Sequence, residues 1–214
     1  MRGRRAWKRW LLVAAVALVL ILWPRPLGFD LRPPADRRAR AWVLRKAGPD
    51  DRKRLIVISK PEYTLTLYIG RKPAATFPIA LGHEPEGDKV IRNDGRTPEG
   101  EFYICQMSSR PRQSFLGARW MRLSYPSIED ARRGLKAGLI TRREYREIVS
   151  AVRRGRIPPQ NTRLGGGVGI HGGCFAIGTE MARNWTLGCV ALWDSDAIEV
   201  YRRLQVGTPV LILG

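Results

Sequence analysis

The sequence has few of the residues that build metal sites and disulfide frameworks. Its 214 residues include three cysteines and two histidines, and no two cysteines are spaced as Cys-x-x-Cys. Because that spacing is typical of structural zinc sites, we predict no metal and no cofactor. A Cys3His zinc site is the alternative, and its ligands would be Cys105, His171, Cys174 and Cys189.

Acidic residues are half as numerous as basic ones. The chain has 19 Asp and Glu against 38 Lys and Arg, a formal net charge of +19. Such a charge favours polyanionic surroundings, whether nucleic acid, anionic lipid or a carboxylate-rich cell wall. The arginines are spread along the chain without a zinc finger or an RNP box, so no nucleic-acid partner is predicted.

Long apolar runs are absent except near the N-terminus. Five basic residues precede an uncharged run over residues 10–23, which is shorter than the about 20 residues that comfortably span a bilayer. A basic region before a short apolar run is typical of a secretion signal. With no small-x-small cleavage site, residues 1–23 are predicted to be a signal-anchor helix in the inner membrane, with the remaining chain in the periplasm of the cell envelope. A cleaved signal peptide and a buried core helix are the alternatives.

Residues 24–53 are predicted to be a linker rich in proline and arginine. Within it, Ala35, Ala39, Trp42 and Val43 share one helical face, which predicts a short helix over residues 35–47. This helix would act as a stalk or as a strap.

From residue 54 onward, the spacing of the apolar residues changes to that typical of β-strands. Short runs over residues 55–58, 63–69, 75–81, 101–105, 120–125 and 209–213 are bounded by Gly and Pro turns. They predict a mainly β domain over residues 54–214, a β-sandwich or barrel. Residues 127–157 interrupt it with two capping-box patterns, which predict an inserted helical hairpin, packed on the sheet or closing as a lid over a groove.

Cys189 and His171 lie in the glycine-rich stretch of residues 165–192. Only the thiolate of cysteine is a good nucleophile, so it needs a base or a lowered pKa, and His171 is the candidate base. Glycines allow the close backbone approach that an oxyanion pocket of N–H groups requires. The alternative is that Cys189 is an ordinary buried thiol. In an oxidising compartment, Cys105 and Cys174 would form a bridge or stay as two buried thiols.

The pattern around these two residues resembles a known signature. His-Gly at 171–172 is followed, eighteen residues after the histidine, by the cysteine of Thr-Leu-Gly-Cys at 186–189. This is similar to the catalytic motif of the YkuD-type L,D-transpeptidases, which cross-link peptidoglycan. Asn-Asp-Gly-Arg-Thr-Pro-Glu-Gly at 93–100 and Val-Gly-Thr-Pro-Val at 206–210 also resemble segments of that family. The resemblance extends over about residues 54–214.

The resemblance implies a role for each site residue. Cys189 would be the nucleophile, His171 the base, and the carbonyl of Gly172 the group that orients the imidazole. Thr186, Gly188 and Gly173 would form the substrate and oxyanion pocket, and Asp94 would orient substrate or make a turn. The substrate would be the tetrapeptide stem of peptidoglycan, cleaved before its terminal D-alanine, and carbapenems would acylate Cys189.

Three points stay open at this level. The thioester would pass to an amine of a neighbouring stem, to a lysine of a wall-attached lipoprotein, or to water, which would make the protein a hydrolase. A non-catalytic wall-binding module is a further alternative. Ala191 stands where many members of the family carry an arginine, and Thr186 where serine is usual, so the acceptor is not predicted.

Overall fold

The computed structural model describes residues 34–109, 111, 114–173 and 184–214. The signal anchor predicted for residues 1–23, the first part of the linker, and Cys174 with its predicted bridge lie outside the described residues. Within the described ranges, no helix combines the length and apolar character needed to cross a membrane.

The domain is mainly β, as predicted. Eight strands form one mixed sheet in the order β3-β2-β1-β10-β5-β6-β7-β9, and β4 pairs with β8 in a separate two-stranded sheet. The strands are β1 Arg54–Ser59, β2 Thr64–Ile69, β3 Lys72–Pro78, β4 Leu81–Gly82, β5 Gly100–Ser108, β6 Trp120–Leu123, β7 Gly169–His171, β8 Asn184–Thr186, β9 Val190–Ala191 and β10 Pro209–Leu213.

The large sheet curls around a single core instead of packing against a second sheet of similar size. Alternate residues of every one of its strands enter one hydrophobic cluster, from Phe77 on β3 to Val190 on β9. A single bridge between Ala80 and Ala191 joins the segment after β3 to β9, the opposite edge strand. Of the two predicted architectures, the structure therefore favours the barrel-like one.

The central strands are covered on both faces. On β1, Ile56 and Ile58 face the main core, while Leu55 and Val57 lie in a second cluster with the first helix, α1 (Pro34–Ala47). A strand buried on both sides is expected to be apolar throughout, as the run at residues 55–58 is. The helix predicted over residues 35–47 is thus present, and it packs on the sheet as a strap would.

The predicted helical hairpin consists of α2 (Ile128–Lys136) and α3 (Arg142–Arg153). Both predicted capping boxes form, at Ser127 and at Thr141. The apolar faces of the hairpin do not enter the main core, because its buried residues form a separate cluster around Ala131, Ile148 and Leu164. Leu164, on the loop before β7, is buried against the apolar faces of both helices. The sheet contacts the end of the hairpin through Tyr103 on β5, whose hydroxyl donates to the carbonyl of Arg156 at 2.8 Å.

The last helix, α4 (Asp194–Arg203), follows β9 directly and joins the main core through Ala197 and Val200. Its position matters for the site, because its first residue lies beside the loop that follows β7.

Candidate active site

Strands β6, β7 and β9 divide their side chains between the core and an open groove. In register, Trp120 pairs with His171, and His171 pairs with Ala191. The intervening row of Met121, Ile170 and Val190 is fully buried in the core. Since side chains alternate along a strand, His171 faces away from that row. His171 and Cys189 both line a groove of about 840 Å³ on this side of the sheet.

His171 is held as a neutral base. Its side chain is 2% exposed, and its Nδ1 lies 2.6 Å from the carbonyl oxygen of Gly172. A carbonyl oxygen only accepts, so Nδ1 carries the proton and Nε2 is left to accept one. Burial lowers the pKa of His171, although the Gly172 contact and the charge of Asp194 oppose that shift.

Cys189 rests as a neutral thiol. Its side chain is half-buried just before β9, and its Sγ donates a long hydrogen bond of 3.6 Å to the carbonyl oxygen of Gly167. Burial raises the pKa of Cys189 to about 11, opposed by a hydrogen bond with the Gly169 backbone and by the charges of Arg122 and Lys89. The thiol therefore needs a base before it can attack.

Thr186 and Gly188 fix the turn that carries the cysteine. The Thr186 hydroxyl donates to the carbonyl of Cys189 at 2.7 Å and accepts the N–H of Gly188 at 3.1 Å. Gly188 has φ +122°, and a Cβ there would lie 2.5 Å from the carbonyl oxygen of Arg96. Glycine is thus required at 188 by the backbone conformation and by the close approach of Arg96.

Asp194 holds the loop after His171. Its Oδ1 accepts the N–H of Ala118 at 2.7 Å and the N–H of Gly173 at 3.0 Å. The Gly172 carbonyl that receives His171 belongs to this same loop. Asp194 was not included among the site residues predicted from sequence, and its position close after the cysteine segment was the available signal.

Asp94 organises its own loop. Its carboxylate accepts backbone N–H groups from Val90, Ile91 and Arg96, and it pairs at 2.6 Å with Lys89, whose side chain is 3% exposed. The pKa of Asp94 is lowered by these hydrogen bonds, of which the one with Lys89 is the largest, against the opposing effect of burial. Asp94 thus makes the hydrogen bonds of a turn. Lys89 is the member of the ion pair that lines the groove.

The comparisons with known proteins agree with this geometry. A family model described as YkuD, the L,D-transpeptidase catalytic domain, matches residues 53–212. The chain belongs to the YkuD family. The family acts on the stem peptides of peptidoglycan in the cell wall.

Several solved structures are similar to this chain at low sequence identity. The helical cell shape determining protein Pgp2 from Campylobacter jejuni is 19% identical, with a TM-score of 0.50 over 81% of this chain and 54% of that chain. Bd1075 from Bdellovibrio bacteriovorus is 20% identical (TM-score 0.48, 75% and 48% covered), and an L,D-transpeptidase from Mycobacterium smegmatis is 15% identical (0.46, 76% and 59%). This chain therefore spans about half of the length of these proteins. No match was found among curated proteins.

Three further residues of the YkuD domain, Trp185, His83 and Cys105, differ in their position relative to the groove. Trp185 lines the groove, edge-on to His171 at 5.9 Å between ring centroids. His83 is exposed and contacts the Thr186 carbonyl, and Cys105 is buried outside the groove lining. No residue of the helical hairpin, all of which is described, lines the groove, so the hairpin does not cover it as a lid.

Arg122 and Gln160 of the YkuD domain were not predicted from sequence to belong to the site. Arg122 lines the groove, and the side chain of Gln160 lies against it. Gln160 Oε1 also accepts the N–H of Gly167, the residue whose carbonyl receives the Cys189 thiol. Because side chains alternate along a strand, Arg122 lies on the same face of β6 as Trp120, and this spacing could have indicated its position. Gln160 lies in an irregular segment where no pattern indicates a direction.

Proposed function

We propose that this protein is a peptidoglycan L,D-transpeptidase with Cys189 as its nucleophile. The proposal rests on one observation. A thiol and a neutral imidazole line one groove in a chain of the YkuD family, and the imidazole carries its proton on Nδ1, so that Nε2 can accept one. The donor would be a tetrapeptide stem, cleaved between its third residue and the terminal D-alanine.

In the first half-reaction, His171 Nε2 takes the proton of the Cys189 thiol while Sγ bonds to the scissile carbonyl carbon. The C–N bond then breaks, and the imidazolium returns its proton to the amine of the departing D-alanine. A thioester on Cys189 remains. The Gly172 carbonyl holds the imidazole in position and stabilises its protonated form, as the carboxylate does in a Ser-His-Asp triad.

In the second half-reaction, an amine replaces the thiol. The side-chain amine of a diamino acid on a neighbouring stem attacks the thioester and loses its proton to His171, and Sγ leaves and is reprotonated. A lipoprotein lysine or water would follow the same course. The product distinguishes a cross-link, an attached protein and a shortened stem.

Backbone N–H groups supply the oxyanion site in this proposal. The N–H groups of Gly188 and Gly173 already donate to Thr186 and Asp194. We therefore assign the oxyanion to the N–H of Cys189. Thr186, Gly188 and Gly173 would shape the pocket around it, and electrostatic stabilisation of this kind is often the largest contribution to catalysis.

The site of action we propose is the periplasmic face of the inner membrane, with residues 1–23 as the anchor. The basic n-region and the apolar run of residues 10–23 support that orientation. The anchor is tested by fractionating cells that express the full-length chain. Membrane-bound protein accessible to protease only after the outer membrane is opened supports it, and full-length protein in the soluble fraction contradicts it.

The activity is tested with a synthetic tetrapeptide stem as donor and acceptor. The proposal predicts release of D-alanine together with a cross-linked dimer joined between two third residues. Both products should disappear in Cys189→Ala, and Cys189→Ser should be strongly impaired, because a hydroxyl is the poorer nucleophile. Release of D-alanine with tripeptide alone would identify a hydrolase. No consumption of peptide would contradict the proposal.

A further inference from the structure

Arg122 is an unneutralised cation fixed in the groove. Its Nε donates to Gln106 Oε1 at 2.8 Å and its Nη1 donates to Gln160 Oε1 at 2.9 Å. Its Cζ lies 5.4 Å from the centroid of the Trp120 ring. Two amide oxygens and an aromatic face hold the guanidinium without cancelling its charge. Among the described residues, no carboxylate pairs with Arg122 and none accepts from its Nη2.

The other cations of the groove are Lys89 and Arg92, and only Lys89 has a carboxylate partner among the described residues. Lys89 is paired with Asp94, and the Nη2 of Arg92 donates to the backbone carbonyls of Gln160 and Thr162. No Asp or Glu is found among the described residues that line the groove. A groove lined by three cations, of which Arg92 and Arg122 have no carboxylate partner among the described residues, is suited to receive an anion.

The position of Arg122 relates that anion to the nucleophile. Arg122 pairs with Gly169 across β6 and β7, and the β7 and β9 register places Cys189 beside Gly169 on the other side. Neighbouring strands are about 4.8 Å apart, so the backbones of Arg122 and Cys189 are separated by about two such spacings. Both side chains face the groove. A carbonyl at Sγ thus leaves a carboxylate a few bonds away within reach of the guanidinium.

We propose that Arg122 binds a carboxylate of the donor peptide and so places the scissile carbonyl at Cys189. This inference rests on the proposed function for the identity of the donor. Two carboxylates of a tetrapeptide stem have the required chemistry: the terminal carboxylate of the departing D-alanine, and the side-chain carboxylate of the diamino acid. Gln106 and Gln160 would act as positioning residues, because each accepts a hydrogen bond from the guanidinium and so fixes its direction.

Binding is measured by calorimetry with the full-length chain carrying Cys189→Ala, so that no turnover occurs. Three synthetic tetrapeptides are compared: the free acid, its D-alanine amide, and its diamino acid carboxamide. One of the two amidations should weaken binding about ten- to a hundredfold, the range of a charge-assisted hydrogen bond. The amide that binds weakly identifies the carboxylate. In Arg122→Gln, that amide and the free acid should bind equally.

Two further variants separate this role from a general loss of charge or of structure. Arg153→Gln removes the same charge from an exposed position on α3 and should keep the full discrimination. Arg122→Lys keeps the charge without the planar guanidinium, and it should recover part of the discrimination between acid and amide. Discrimination between acid and amide that persists unchanged in Arg122→Gln would overturn the inference, as would equal binding of all three peptides to the parent.

Turnover by the protein with Cys189 intact separates this inference from the proposed function. Arg122-dependent discrimination in binding, without release of D-alanine, would contradict the transpeptidase proposal and leave the carboxylate site standing. The other outcome is that D-alanine is released and that the ratio of the KM values for the free acid and the amide is the same in the parent and in Arg122→Gln. That outcome would contradict the carboxylate site alone.

Discussion

Cys189 and His171 rest as a neutral pair, and the surroundings of each explain why. Burial disfavours the charged form of both groups, so the pKa of the thiol rises and the pKa of the imidazole falls. The thiol donates to the Gly167 carbonyl, and no hydrogen bond to His171 is present among the described residues. In the proposed reaction, Cys189 is therefore activated during turnover rather than stored as a thiolate.

A neutral resting thiol predicts a steep pH dependence of alkylation. With the pKa of Cys189 raised to about 11, the thiolate fraction should increase about tenfold per pH unit from pH 7 to pH 10. Alkylation of Cys189 by iodoacetamide, followed by peptide mapping, should rise with that slope. Buried Cys105 serves as the internal control and should stay unmodified. A rate that is already constant at pH 7 would reveal a thiolate-imidazolium pair instead.

Asp194 is predicted to act through the loop that orients His171. Asp194→Ala removes the acceptor of the Ala118 and Gly173 N–H groups and should slow acylation of Cys189 about tenfold or more. The negative charge of Asp194 raises the pKa of His171, so Asp194→Asn should move the acid limb of the pH-rate profile to lower pH. The readout is the acylation rate by carbapenem between pH 4 and pH 8. An unmoved acid limb in Asp194→Asn would contradict this role.

At the scale of elements, the helical hairpin contributes stability and stays away from the groove. Ile148 on α3 is fully buried in the small cluster shared with α2 and Leu164. Ile148→Ala should lower the free energy of unfolding by about 2–5 kcal/mol. Arg146→Ala, exposed on the same helix, should change it by less than about 0.5 kcal/mol. Urea unfolding measures both.

The same variants test whether the hairpin influences the site. Below the unfolding transition, Ile148→Ala should acylate Cys189 at a rate within about twofold of the parent, because no hairpin residue lines the groove. A large loss of rate in the folded protein would show that the hairpin shapes the groove after all.

The elements that sequence predicted well are those with a strong local pattern. The two capping boxes and the alternation of Leu65 and Leu67 are local signals, and the structure has both. The segments β8 and β9 were not predicted as strands, because two or three residues carry no measurable period. The cluster that the hairpin forms with Leu164 was not predicted, because an amphipathic face does not specify which apolar surface receives it.

Within the site, the two reactive residues could be predicted from the sequence, whereas the residues that hold them in place could not. Cys189 and His171 stand out because nucleophile and base chemistry is restricted to a few residue types. Arg122, Gln160 and Asp194 are distant from them or ordinary in sequence, and only the register of β6, β7 and β9 brings them together.

At the scale of the whole molecule, the compact unit begins before the predicted domain. Residues 34–214 form one unit, whereas the sequence pattern placed the start of the domain at residue 54. Trp42, Val43 and Ala47 on α1 cover Leu55 and Leu211 on the outer face of the sheet. Without α1, that apolar face would be open to water.

Trp42 is predicted to carry much of this contact. Trp42→Ala should cost about 3–5 kcal/mol of unfolding free energy, because it leaves a large cavity between helix and sheet. Leu44→Ala on the exposed side of the same helix should cost less than about 1 kcal/mol. Urea unfolding of residues 34–214 compares them. Equal stability of both variants would mean that α1 is a dispensable linker, as the sequence pattern suggested.

The most direct test of the central claim is intact-mass spectrometry of residues 34–214 incubated with imipenem. An activated thiol opens the strained β-lactam ring and keeps the whole molecule as a covalent adduct. We predict one adduct per chain in the parent, none in Cys189→Ala, and an adduct that forms about a hundredfold or more slowly in His171→Ala. An adduct that persists in Cys189→Ala, or no adduct in the parent, would contradict Cys189 as an activated nucleophile.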